Sequence, residues 1–392
     1  MAQHIEGDLG HGGPLAGARD PRREELDRAL ARARGGARPL LDLADDDPAR
    51  CGLRWDPEEL REVLDAARAE PRWEGLREAQ EAVAGYLAGR GAAVSPDRVR
   101  FAASPAAALA LAVTAARPDP AREEVLCPVP AFALELPEHV RPRPYPLRYD
   151  GAWRIDRRAL ARGITGRTGA VVLGSPAEPT GAVPDREDLA LLEDLCRRAE
   201  AALVADERRA DEALAPGPSV AGLRGCLAFH LGSLAGACGN PGTDIAWIAA
   251  AGPEALAEAA LARAAAVPGP APDPVARRAV PALLGRRERF ALALRERLSR
   301  NRAALATAAL REAPWTLLQG GGGRWAVLQI GAAQDEHALC LELLDRGVRV
   351  LPGYLFGFAG NGFLAVSLLL DPQRFRAGLE VLEEQLRDGL LG

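Results

Sequence analysis

The sequence predicts an α/β protein: a large domain with a mostly parallel sheet between helices, and a smaller C-terminal α+β domain. Three observations predict it. Between Val99 and Ala249, short apolar runs alternate with helical stretches, the pattern of buried parallel strands covered on both faces. The Pro-rich segment Gly269–Pro274 breaks that alternation and is followed by a long charged helix. After the tetraglycine Gly320–Gly323 come three short strands and a last helix. A chain of 392 residues, 48% hydrophobic, is long enough to build two packed domains.

Along the chain, Arg22–Arg34 reads as a short polar helix. Pro57–Ala69 is a second, with Leu60, Val63, Leu64 and Ala67 on one face, and Gly75–Gly89 a third, stopped by glycine. Val99–Ala103, Val125–Cys127, Ala170–Leu173, Ala202–Ala205, Leu227–Leu231 and Ile245–Ala249 are the predicted strands. Arg186–Ala199 is a helix with Leu189, Leu192, Leu195 and Cys196 at helical spacing. Gly285–Leu310 is the long helix, with Phe290, Leu294 and Leu298 along its seam. The last helix places Phe375, Leu379, Leu382 and Leu386 on one face. The division that follows is a tail and arm over 1–38, a large domain over 39–284 and a small domain over 285–392. Part of the N-terminal segment joins the small domain.

The formal net charge of -5 argues against a nucleic-acid partner, which calls for a basic face. No apolar run approaches membrane-spanning length, and residues 1–19 lack a signal-peptide pattern. The expectation is a cytoplasmic protein. The six cysteines (Cys51, Cys127, Cys196, Cys226, Cys238 and Cys340) form no CxxC pair and lie near no histidine at ligand spacing, so buried thiols and no metal are expected. His4 and His11 read as tail residues; His139 and His337 lie in polar surroundings. All 49 basic residues are arginine, and the chain contains no lysine.

Several motifs, in order, resemble those of the fold-type-I, class I/II pyridoxal-phosphate (PLP) aminotransferases, from about Leu40 to Leu391. Ser175-Pro176-Ala177-Glu178-Pro179-Thr180-Gly181 is similar to the family's N-P-x-N-P-T-G turn, and Asp206-Glu207 to its D-E pair after a strand. Ser233-Leu234-Ala235-Gly236 resembles its S-L-S-K, and Asn240–Trp247 the L-P-G-x-[RK]-x-G-W segment beyond it. Pro128–Phe132 and Leu351–Phe356 resemble the P-x-P-x-[YF] loop and the small domain's P-G-x-x-F. The resemblance implies the fold, and fold alone carries no function.

The resemblance also implies which residues would hold the cofactor, and there the chain departs from the family. The Schiff-base lysine, which also moves the proton in transamination, falls on Gly236. A cation for the phosphate falls on Asp244. Of the hydroxyl-rich phosphate loop only Ser104 remains, followed by Pro105, which has no N–H to offer. The asparagine and tyrosine that donate to the cofactor ring's oxygen fall on Glu178 and Arg209. Asp206, the partner of the pyridine nitrogen, and Phe132, the ring-stacking aromatic, are retained. Ser104, Phe132, Asp206 and Gly236 are thus vestigial cofactor positions, and loss of PLP is expected. The C-terminal arginine that grips a substrate carboxylate falls within Leu364–Ser367 and is missing; the segment 265–281 has lost its aromatic and serine residues. His230, on the strand before Gly236, reads as a core histidine.

Three readings stay open. One is a non-catalytic pseudoenzyme acting through homodimerisation or a protein partner. Another is a PLP-independent enzyme that binds a small molecule in the old cleft and uses Glu178, Asp206, Arg209 and Asp244, with Ser104 and Ser233, for acid/base chemistry such as cyclisation, dehydration or isomerisation. Non-covalent PLP retention is the third. An ion-pair network of Arg209 with Asp206 and Glu178 is expected at the old ring site, where an unpaired acid would be costly. Trp325, after the tetraglycine, reads as a packing residue between the domains.

Overall fold

The computed structural model describes residues 20–69, 75–117, 119–239, 245–311, 313–331 and 334–391. The chain begins with α1 (Pro21–Gly35), β1 (Leu41–Asp42), α2 (Pro57–Ala69) and α3 (Gly75–Gly89). The sheet region then runs β2 (Val99–Ala102), α4 (Pro105–Ala115), β3 (Glu124–Val129), β4 (Arg141–Tyr149), β5 (Trp153–Ile155), α5 (Arg157–Gly163) and β6 (Thr168–Gly174). It continues through α6 (Arg186–Ala199), β7 (Ala202–Asp206), β8 (Ala228–Ser233), α7 (Leu234–Cys238), β9 (Ala246–Ala251), α8 (Glu254–Ala265) and α9 (Pro274–Gly285). The C-terminal part comprises α10 (Glu288–Ala309), β10 (Thr316–Leu318), β11 (Trp325–Gln329), α11 (Glu336–Asp345), β12 (Val348–Arg349), β13 (Leu351–Pro352), β14 (Phe363–Ser367) and α12 (Pro372–Leu391).

The large sheet has eight strands in the order β2-β9-β8-β7-β6-β3-β4-β5. Its centre, from β8 to β4, is parallel; β9 runs antiparallel to β8 and β2, and β5 antiparallel to β4. Strands β3, β6, β7 and β8 are mostly apolar and buried along nearly their whole length, as a sheet covered on both faces requires. Leu109 and Val113 of α4 and Leu261 of α8 cover one face; Leu160 of α5 and Leu189 and Leu192 of α6 cover the other.

Helix starts follow local chemistry. Ser104 caps α4 through the amide N–H of Ala107, and Pro105 fills the first turn where no hydrogen bond is lost. Asp185 and Asp188 close a capping box at the start of α6.

The six strands read from the sequence become eight with β4 and β5, which the sequence reading passed over. Pro142, Pro144 and Pro146 lie within β4, although a proline has no N–H to give to a strand ladder. Arg141 N–H donates to Glu123 O at 2.7 Å, so the odd-numbered residues supply the donors to β3. The prolines alternate with them and turn their missing donors toward the side that only short β5 covers. The expected long helix is α10; the Pro-rich segment before it ends in Asp273, which caps α9, a helix the sequence reading did not include.

The C-terminal part forms a four-stranded sheet in the order β10-β11-β14-β13. Leu26, Leu43 and Cys51 pack in one core with Phe290, Leu294, Phe375 and Leu382. β1 pairs in parallel with β12, and the Ser367 amide donates to Leu43 O at 2.6 Å, so the N-terminal segment is part of the small unit. All six cysteines are free and buried. No helix among the described residues is long and apolar enough to cross a membrane, and they contain no cluster of three or more metal-ligating side chains.

Gly232, on β8, lies against the Trp247 indole. A methyl there would come closer than 3.0 Å to the ring, whereas one at Gly222 would meet nothing within 4 Å. We expect Gly232→Ala to cost about 1–3 kcal/mol by overpacking and Gly222→Ala to stay near zero, read from urea unfolding midpoints of the two variants.

Candidate functional site

The candidate residues gather because five strands point the same way. β2, β3, β6, β7 and β8 share one direction. Ser104, Phe132, Glu178, Asp206–Arg209 and Gly236 each lie at or just beyond a carboxyl end. In open α/β sheets that edge is where ligands bind. Asp244 and the segment 240–244 lie outside the described residues.

Asp206, at the end of β7, is paired with Arg208. It accepts from the Arg208 amide at 3.2 Å, from Nε at 2.8 Å and from Nη2 at 2.6 Å. Burial raises its carboxyl, and the Arg208 charge and hydrogen bonds more than reverse that, leaving it below the usual carboxylate range. The expected pairing of Asp206 with Arg209 is therefore corrected. A two-residue reach folds Arg208 back on Asp206, and Arg209 turns away.

Arg209 lies instead between Glu178 and Glu212, with Nε 3.6 Å from Glu178 Oε1 and Nη1 3.7 Å from Glu212 Oε1. Both distances are those of ion pairs without a hydrogen bond. Glu178 Oε1 is buried with no hydrogen-bond partner. Burial raises the Glu178 carboxyl, and the opposing pull of Arg209 and Arg324 does not cancel it.

Beyond Arg209 comes a pair that sequence reasoning missed. Arg324, directly after the tetraglycine, and Glu212 are each 1% exposed. The guanidinium grips the carboxylate with two hydrogen bonds, Nε to Oε2 at 3.0 Å and a short one from Nη2 to Oε1, and gives Nη1 to Asp46 O at 2.8 Å. Burial works against the Arg324 charge, but the Glu212 carboxylate outweighs it and raises its affinity for the proton. Arg302 of α10 donates to Gly323 O at 3.0 Å from a partly buried position, and desolvation lowers its own affinity for the proton. The available signal was a charged residue set at the head of an apolar strand, where it must be exposed or paired.

Gly236 sits in the first turn of α7, its amide donating to Ser233 Oγ at 3.0 Å. The Arg208 carbonyl crosses directly over it: a Cβ at position 236 would fall closer than 3.0 Å to that oxygen. The Phe132 ring packs on Phe356 (4.8 Å between centroids, edge-on) and on Trp325 (5.3 Å), and Trp325 is buried between the domains. His230 is fully buried in β8, its Nδ1 3.2 Å from Glu207 Oε2. Ala276, Ala279 and Val280 of α9 are core residues against α3.

The family described as aminotransferase class I and II matches residues 51–382. The chain belongs to that family. Among curated relatives, the aspartate aminotransferase of Pyrococcus abyssi is 30% identical over 89 residues, 22% of this chain and 23% of that protein. The probable aspartate/prephenate aminotransferase of Aquifex aeolicus is 31% identical over 90 residues, with 22% and 23% covered. These alignments thus span under a quarter of either relative. Among solved structures, an alanine aminotransferase from Pyrococcus furiosus aligns at a TM-score of 0.81 and 20% identity, covering 95% of this chain and 100% of that one. A single mutant of Thermus thermophilus aspartate aminotransferase aligns at 0.77 and 24%, covering 95% and 98%. At such identities the structural likeness shows the aminotransferase fold.

The charges make three predictions. Truncating one partner of a buried ion pair strands the other, so Glu212→Ala and Arg324→Ala should each lower stability by about 3–5 kcal/mol, measured by denaturant unfolding at pH 7. Glu178 carries the opposite sign. Its folded-state carboxyl is raised above 4.5, so its contribution is present below that value and lost as pH rises through the folded value. Glu178→Gln should therefore gain stability relative to the parent on going from pH 4 to pH 7, measured by unfolding at both. Asp206, lowered below 3.8, contributes above that value and loses its contribution as pH falls through the folded one. Asp206→Asn should accordingly fall behind the parent on going from pH 2 to pH 7.

Proposed function

We propose that this aminotransferase-fold chain has lost PLP-dependent transamination and acts as a non-catalytic binding protein, as a homodimer or with a protein partner. The residues present do not fit PLP. The observation that carries the reading is Gly236. No lysine exists in the chain, and the family's lysine position has the Arg208 carbonyl where a side chain would begin. Three further observations support it. Asp206, the acid that would meet a pyridine nitrogen, is held by Arg208. Ser104 Oγ and Ser233 Oγ accept from amide N–H groups as helix caps. Phe132 packs on aromatic residues of the small domain.

The test is a calorimetric titration of the purified protein with PLP and with pyridoxamine phosphate, combined with light scattering for the oligomeric state. The expected outcome is no saturable binding of either and a stable dimer or hetero-complex. Saturable binding of PLP at the old cleft would overturn the reading. Gly236→Lys should not restore binding, and should cost about 1–3 kcal/mol through collision with the Arg208 carbonyl, read as a fall in melting temperature.

One observation favours a second reading, a PLP-independent acid/base enzyme. Glu178 is a buried carboxyl raised above its usual range, with an oxygen free of hydrogen bonds and an arginine beside it. That is the environment of a general acid. A metabolite that stabilises the parent and is converted by it, but not by Glu178→Gln, would establish this reading over the first.

A further inference from the structure

The turn between β10 and β11 meets the large domain backbone to backbone. Gly321 N–H donates to Gly181 O at 2.7 Å, Leu214 N–H to Gly321 O at 2.8 Å and Gly323 N–H to Glu212 O at 3.0 Å. Ala213 and Gly322 form an antiparallel bridge. The approach is too close for side chains. A Cβ at Gly181 would lie 2.5 Å from Gly322 O, one at Gly320 2.5 Å from Thr180 O, and one at Gly322 2.5 Å from the Ala213 Cα. The tetraglycine and the glycine of the Ser175–Gly181 turn are therefore what this seam requires.

Two other kinds of contact run alongside. The buried Arg324 guanidinium joins the small domain to Glu212 of the large one and to Asp46 O of the N-terminal segment. The hydrophobic core also does not stop at the boundary: Leu173 and Ala205 of the large sheet belong to one buried cluster with Trp325, Val327, Phe356 and Phe363. Around the rim, Ala131 N–H donates to Phe356 O at 3.0 Å and Trp153 N–H to Gln319 O at 3.2 Å.

We propose that this seam is a permanent lock, holding the small domain in one closed position over the cleft with no ligand present. A hinge opens cheaply when the surfaces it parts are polar and can take up water. Parting these surfaces separates Glu212 from Arg324, breaks three backbone hydrogen bonds and splits a single apolar core. Opening is thereby coupled to loss of the core itself, so the chain has no low-energy open state. The lock fixes the surface that the protein offers to a partner. It rests on the proposed reading of the same cleft as non-catalytic, yet the two are separately testable: the cofactor titration says nothing of hinge motion, and amide exchange says nothing of cofactor affinity.

The experiment is native-state hydrogen exchange on the full chain, resolved to peptides over 178–182, 208–214 and 319–325, with β6–β8 as reference. Local opening shows as exchange faster than that of the core. The lock predicts that the Gly321, Gly323 and Leu214 amides exchange within about tenfold of the reference amides. Faster exchange than that would overturn it. Gly322→Ala provides a second measurement. It should speed exchange at the seam by more than about tenfold while the β6–β8 amides stay protected, whereas Gly331→Ala, where a methyl meets nothing within 4 Å, should leave the seam unchanged. Seam exchange unaltered in Gly322→Ala would also overturn the proposal, and if that variant does not fold, the parent measurement decides alone.

Discussion

An arginine and a glutamate from which water is excluded, Arg324 and Glu212, constrain everything around the cleft. A buried charge is tolerated only when paired and hydrogen-bonded, so the loop carrying Glu212 follows wherever Arg324 is held. Arg324 is held by the glycine turn before it and by Asp46 O. The loop 207–214 is thereby pinned between the domains. Pinning it fixes Arg208, whose side chain closes on Asp206 and whose carbonyl lies over Gly236. One ion pair at the domain boundary and one missing side chain at the start of α7 are ends of the same chain of contacts.

That dependence explains what the sequence could reveal. The fold was legible because it rests on local rules repeated many times, apolar strands alternating with amphipathic helices, and on motif order. β4 was hidden because its three prolines satisfy an edge-side rule that is visible only once neighbouring strands are known. At the site, the positions were legible from motif spacing, and the substitutions at Gly236, Glu178 and Arg209 could be read directly. Their partners could not. Asp206 has Arg208 two residues away and Arg209 three away, and only the direction of the loop after β7 decides between them. Glu212 and Arg324 are far apart in sequence, and nothing local marks either as buried.

The charges in the cleft are arranged by unequal competition. Asp206 has a guanidinium of its own within hydrogen-bond range and stays ionised more readily than usual. Glu178 has only the flank of Arg209 at 3.6 Å, and Arg209 is shared with Glu212, which in turn is held more firmly by Arg324. Three acids thus draw on three arginines; Asp206, with a hydrogen-bonded guanidinium, is lowered, and Glu178, without one, is raised. Such divergence between neighbouring carboxyls marks acid/base sites in working enzymes. It also arises when a site loses a ligand and its remaining charges pair among themselves.

The two origins differ in what they ask of the surrounding backbone. A catalytic acid needs room in front of it for a reacting group and a way for that group to enter. Here the turn 175–181 that carries Glu178 is fastened to the small domain through Gly181, and its neighbour Phe132 is packed on Trp325 and Phe356. Asp206, Glu178 and Phe132 are met by Arg208, Arg209 and Phe356 of the same chain. The upward shift of the Glu178 carboxyl has its cause in this packing: burial raises it, and Arg209, at 3.6 Å without a hydrogen bond, does not reverse that.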